Sequence, residues 1–186
     1  MASGLLLVFA VICASAAVGA AQAKPARTTA RQQPRHAQAD AVAFYTAAAE
    51  RWRLETWYWQ RLMGVPRSPL ATRSLQSSSV QRLQHVASVW RRRAETARRH
   101  AEHPPNLKAW LCIHHYEGSW RDAGAPYYGG LQMDLAFQRA YGGWLLRKKG
   151  TADHWTPLEQ IWTAVRARRL RGYYPWPNTA RYCGLL

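Results

Sequence analysis

Glu117 closes the run Cys112-Ile113-His114-His115-Tyr116-Glu117-Gly118-Ser119-Trp120. Ten residues after it begins Tyr127-Tyr128-Gly129-Gly130-Leu131-Gln132-Met133-Asp134. The chain has only 10 Asp+Glu against 26 Lys+Arg, and a glutamate set between Tyr116 and Trp120 is poorly placed for surface solvation. Cleavage of a glycosidic bond needs a carboxylic acid that delivers a proton to the leaving oxygen. Apolar and aromatic neighbours favour the neutral form of such a group, and Tyr116, Trp120, Tyr127 and Tyr128 could supply them. The competing reading is a helix-end glutamate paired with Arg121.

The nearby acids are Asp122 and Asp134. Asp134 reads as the N-cap of the next helix. Asp122 could stabilise positive charge on a sugar, or cap a turn. If neither takes part, an intramolecular sugar hydroxyl serves as nucleophile and one acid/base suffices. The pair His114-His115 invites a metal reading, but adjacent positions on a helix point about 100 degrees apart. Zinc protease chemistry instead needs His-Glu-x-x-His with both rings on one face. The sequence therefore implies neither metal nor cofactor.

The elements that must hold these residues are mostly helical. Leu107 to Tyr116 reads as a short buried helix, and 121–133 as a small β-hairpin or irregular lip. Asp134 to Tyr141 reads as a helix ended by Gly142-Gly143. Thr156-Pro157-Leu158-Glu159 carries an N-cap, a proline at the first helical position and a capping-box glutamate. The helix it opens runs to Gly172, and the tail from Tyr173 to Leu186 reads as extended. Upstream, Phe44, Ala48, Trp52, Tyr58/Trp59 and Leu62 fall near one face from Asp40 to Met63. After Gly64-Val65-Pro66, a second helix opens at Ser78 with Gln81 as its capping partner. Its seam is Val80, Leu83, Ala87, Trp90, Ala94, Ala97 and Ala101, and Pro104-Pro105 stops it. Residues 40–103 thus predict an antiparallel helical hairpin, and 107–186 a compact domain.

Leu5 to Ala21 is apolar and ends at Ala21-Gln22-Ala23, which predicts a secretory signal over 1–23, cleaved near Ala23. The alternative is a membrane anchor, but the run is short for a span of about 20 apolar residues. Residues 24–39 are basic and rich in Ala, Gln and Pro, and read as a disordered linker. Export would leave Cys112 and Cys183, for which a disulfide is the default. The net charge of +16 calls for an anionic partner. For an exported protein that means cell-wall polymers or lipid head groups. No nucleic-acid-binding signature is present, and a monomer is expected. Arg91-Arg92-Arg93 and Arg98-Arg99 could bind the wall or be a solvated face.

Taken together, Trp110 to Trp120, the string Tyr127 to Gln132, the helix start Thr156 to Ile161, and Trp176-Pro177 with Cys183-Gly184 resemble the catalytic domain of resuscitation-promoting factors. More broadly they resemble transglycosylase-like members of the lysozyme superfamily. The resemblance covers about 107–186. It differs in cysteine spacing: the family's first cysteine directly precedes its glutamate, whereas Cys112 is five residues before Glu117. The resemblance implies a lysozyme-like α+β fold and cleavage of the β-1,4 glycan backbone of peptidoglycan with Glu117 as the single catalytic acid. It implies a glycan cleft lined by Tyr128, Gln132 and the Gly129-Gly130 backbone, to which Trp120, Asp122, Tyr127 and Trp176 are added as candidate substrate contacts. A chitin hydrolase and a non-catalytic wall-binding protein are the alternatives.

Overall fold

The computed structural model describes residues 29–69 and 77–186. The expected signal over 1–23 and the start of the linker lie outside these residues. Helix α1 spans Thr29–Met63 and α2 Val80–Ala101. Helix α3 (Leu107–Glu117) leads through a loop to strands β1 (Tyr127–Tyr128) and β2 (Met133–Asp134), which pair antiparallel. Helix α4 (Leu135–Lys149), a 3-10 turn (Ala152–His154), α5 (Pro157–Arg171) and α6 (Pro177–Tyr182) complete the chain. The molecule is mostly helical with one small antiparallel sheet, an α+β arrangement as expected from the sequence.

Three expectations need correction. The linker is helical from Thr29, well before Asp40. Residues 35–40 are exposed and bury nothing, but Ala, Gln and Arg have high helix propensity and can extend a helix that is anchored further on. The tail is not wholly extended: Pro177 takes the first helical position of α6 and Gly184, at φ 65°, follows its end. The helical pair expected as an antiparallel hairpin over 40–103 is not antiparallel.

Helices α1 and α2 pack parallel. Ala49 packs with Val86, Ala87 and Trp90 near the start of both helices, and Leu62 and Met63 share a core with Ala97 and Ala101 at their ends. The order runs the same way along both. Both C-termini meet α5: Arg166 donates to Leu62 O at 2.6 Å, and Trp162, one turn earlier, donates to Ala101 O at 2.8 Å. The connection 64–79 permits this topology. Extended, it could reach about 50 Å, more than the rise of about 33 Å along α2. Its start folds back on α1, where Trp57 donates to Ser68 O and Gln60 exchanges two hydrogen bonds with Ser68.

The seam on α2 is as expected from Leu83 to Ala101, with Leu83, Ala87, Trp90, Ala94, Ala97 and Ala101 buried, while Val80 at the helix start is only half-buried and Val86 joins the buried face. Its N-cap is Ser79, whose hydroxyl accepts from Arg82 N–H, one residue after the expected Ser78. Helix α4 runs past Gly142, which forms a kink at φ −131°, ψ 18°. A Cβ there would lie 2.6 Å from the Trp155 ring. The kink frees Tyr141 O, which accepts from Arg166 Nε at 2.6 Å. Burial, with Arg169 adding to it, pushes the Arg166 guanidinium down to about 10, so it stays charged at neutral pH.

A second polar junction ties α1 to the compact domain. Glu159 is fully buried and accepts from Lys149 (2.7 Å), Thr156 N–H (2.8 Å) and Tyr58 O–H (2.8 Å). Thr156 and Glu159 complete the expected capping box. Burial alone would raise the Glu159 carboxyl, but these donors outweigh it and hold the group below its ordinary value.

Candidate active site

Glu117 ends α3, half-buried, and its Oε1 accepts from the Thr179 hydroxyl at 2.7 Å. The disulfide Cys112–Cys183, with a Cα–Cα distance of 6.0 Å, joins the same two helices. It closes the loop between α3 and the chain's end, as expected for the two cysteines. A long-range staple thus fixes the distance between an acid and its hydrogen-bond donor.

A cleft of about 410 Å3 is lined by Tyr127, Gln132, Met133, Asp134, Ala136, Phe137, Ala140, Tyr141, Arg171, Pro175 and Trp176. Glu117 is not part of this lining, but two links connect them. Trp176 precedes Thr179 by one helical turn along α6. Gln132, with φ 46°, donates through Nε2 to Asp122 Oδ2 at 2.7 Å and Gly129 O at 3.0 Å. Asp122 Oδ2 in turn lies 3.9 Å from where a Gly118 Cβ would be, next to Glu117. The loop after α3 therefore reaches the cleft wall through a carboxylate–amide contact.

Tyr127, Gln132 and Trp176 are brought together on the cleft. Tyr127 is half exposed, while Trp176 is buried and donates to Leu131 O. Trp120, Asp122 and Tyr128 do not line it. Trp120 stacks on His114 at 3.9 Å between ring centroids, and Tyr128 packs against the main core. Asp122 also accepts from Gly124 N–H at 3.0 Å, which makes it a turn cap as well as the Gln132 partner. Asp134 accepts from Phe137 N–H at 2.6 Å and is the N-cap expected of it.

The histidines have separate tasks. His114 Nδ1 lies 3.1 Å from Gly130 O, and a Cβ on Gly130 would come within 2.5 Å of that nitrogen and 2.8 Å of the Trp120 ring. The Gly-Gly turn is thus required by the His114–Trp120 stack, which sequence reasoning did not anticipate. Buried Gln160 closes the same region by donating to Trp120 O and Ala152 O, both at 2.9 Å. His115 meets Tyr116 edge-on, and Tyr116 packs on Tyr182. No cluster of three metal-ligating side chains occurs among the described residues.

Sequence reasoning missed Thr179, Tyr141 and Arg171. The first was recoverable, because Pro177 signals a helix start and places Thr179 within its first turn. The other two depend on tertiary placement. Comparison with protein-family models, with curated proteins and with solved structures finds no match for this chain.

Proposed function

We propose that this protein cleaves the β-1,4 glycan backbone of peptidoglycan, with Glu117 as its one catalytic carboxylate. The observation that carries the reading is the division of labour among the local acids. Glu117 is held by a single side-chain hydroxyl, whereas Asp122 is engaged by Gln132 and Gly124 and Asp134 by the start of α4. One acid remains for proton transfer. Glu117 protonates the glycosidic oxygen as the leaving sugar departs. As a carboxylate it then takes the proton from a hydroxyl of the retained sugar as that oxygen attacks the anomeric carbon. The product is an anhydro-sugar, and no protein nucleophile is needed. Tyr127 and Gln132 on the cleft would hold the glycan, with the Trp176 ring behind them.

The test is purified peptidoglycan with mass spectrometry of the soluble products. Wild-type protein is expected to release muropeptides ending in anhydro-sugars, and Glu117→Gln to release none. Release at the wild-type rate by Glu117→Gln would sink the proposal. A second reading, a non-catalytic cationic wall-binding protein, is favoured by the exposed Arg91, Arg92, Arg93, Arg98 and Arg99 on α2. It predicts salt-sensitive retention on peptidoglycan with no soluble product.

A further inference from the structure

The cleft carries one cation. Among the residues that line it, Arg171 alone is basic and Asp134 alone is acidic. Asp134 is committed to the first turn of α4. Arg171 is the last residue of α5 and is exposed, and among the described residues it has neither an ion pair nor a side-chain hydrogen bond. Among its helix neighbours, Arg166 is spent on three acceptors and Arg168 lies over the Tyr173 ring, while Arg169, also exposed, does not line the cleft.

We propose that Arg171 is a specificity residue that selects glycans bearing a carboxylate over neutral glycans with the same backbone. A volume of about 410 Å3 suits a small saccharide, since ligand sites span roughly 300–1,000 Å3. Its aromatic wall at Tyr127 and Tyr141 offers ring surface to a sugar without distinguishing a charged one. A guanidinium at the rim, free of internal partners, presents a planar fork of donors that matches a carboxylate. On peptidoglycan that carboxylate is either the lactyl ether group of the sugar or a carboxylate of the peptide attached to it. This inference rests on the glycan-cleaving reading and narrows its substrate class, separating peptidoglycan from chitin at a named side chain.

The experiment measures binding by titration calorimetry in the full chain carrying Glu117→Gln, so that no turnover intervenes. Three tetrasaccharides are compared: one with free lactyl carboxylates, one with peptides attached through them, and the neutral N-acetylglucosamine tetramer. At least one acidic ligand is expected to bind about tenfold more tightly than the neutral one, the scale of one charge-assisted contact. Which of the two acidic ligands shows the preference identifies the carboxylate. Adding Arg171→Gln is expected to abolish the preference while leaving the neutral affinity within about twofold, and Arg171→Lys to restore part of it. Equal affinities for all three ligands, or a preference that survives Arg171→Gln, would overturn the assignment. So would an equal loss for all three, which marks a structural role. Muropeptide release by the wild-type protein reports on Glu117 separately. Binding preference without release leaves Arg171 standing and removes the reaction, and release without preference does the opposite.

Discussion

Thr179 Oγ1 lies 2.7 Å from Glu117 Oε1 and belongs to a helix that the Cys112–Cys183 disulfide fastens to the glutamate's own helix. The hydroxyl donates and the carboxylate accepts, so one oxygen of Glu117 is fixed while the other has no side-chain partner among the described residues. In the proposed reaction Thr179 is a positioning residue. Its own side chain is nearly buried.

Thr179→Val removes the donor at nearly constant volume. It is expected to lower kcat about tenfold, the equivalent of one hydrogen bond to a charged group, with KM changed little. Thr179→Ser should recover most of the rate. A drop in thermal stability with kcat unchanged would show that the hydroxyl only supports α6.

Opening the disulfide should act on the same distance. Replacing Cys112 and Cys183 by serine is expected to cost about 4 kcal/mol of stability in the chain-entropy picture, read from the denaturant midpoint. At temperatures where the serine variant remains folded, its activity should still fall, because α3 and α6 are no longer clamped. Equal midpoints for the two proteins would contradict the role given to the bridge.

Much of this was legible from local chemistry. The Thr156–Glu159 capping box, the Asp134 N-cap, the α2 seam and the pairing of the two cysteines follow from residue type and spacing over short distances. The parallel packing of α1 and α2 was not, because an amphipathic stripe has no direction and only the length of 64–79 hinted at a return path. The site divides in the same way. Glu117, Tyr127, Gln132 and Trp176 stand out as candidates because they lie in marked motifs. The stack of Trp120 on His114 was not legible, because nothing in its own neighbourhood announces it. Arg171 is one of many arginines until α5 places it at the cleft.

The parallel arrangement can be tested by cross-linking. Cysteines at Ala49 and Ala87, which share a small core with Trp90, should form a disulfide on mild oxidation, seen as a shift on non-reducing gels. An antiparallel pair with the helix ends aligned at the connection would place Ala49 opposite Ala94 instead, so cross-linking between positions 49 and 94 would reverse the topology.

Gly130→Ala should fold poorly. Its Cβ would need the space of His114 Nδ1 at 2.5 Å and of the Trp120 ring at 2.8 Å, and a stacked pair cannot yield without moving α3. A loss of about 2–3 kcal/mol is expected from the overpacking. His114→Ala in the same chain should recover part of it by vacating the site. An additive double variant in chemical denaturation would rule out the proposed clash.

Acid should weaken the junction between α1 and α5. The folded-state value of Glu159 is held below its ordinary 4.5, so its contribution is fully present above that pH and is lost as pH falls through the lower folded value. Tyr58 works in the opposite sense. Burial, with the Glu159 acceptor adding to it, raises its hydroxyl above the usual 10.0, so that contribution fades only as pH climbs past 10.0. Glu159→Gln leaves Lys149 without its carboxylate and should cost about 3 kcal/mol at neutral pH. It should also flatten the acid limb of a plot of Tm against pH. An acid limb that keeps its slope in Glu159→Gln would place the sensitivity on another carboxylate and remove this junction as the weak point of the fold.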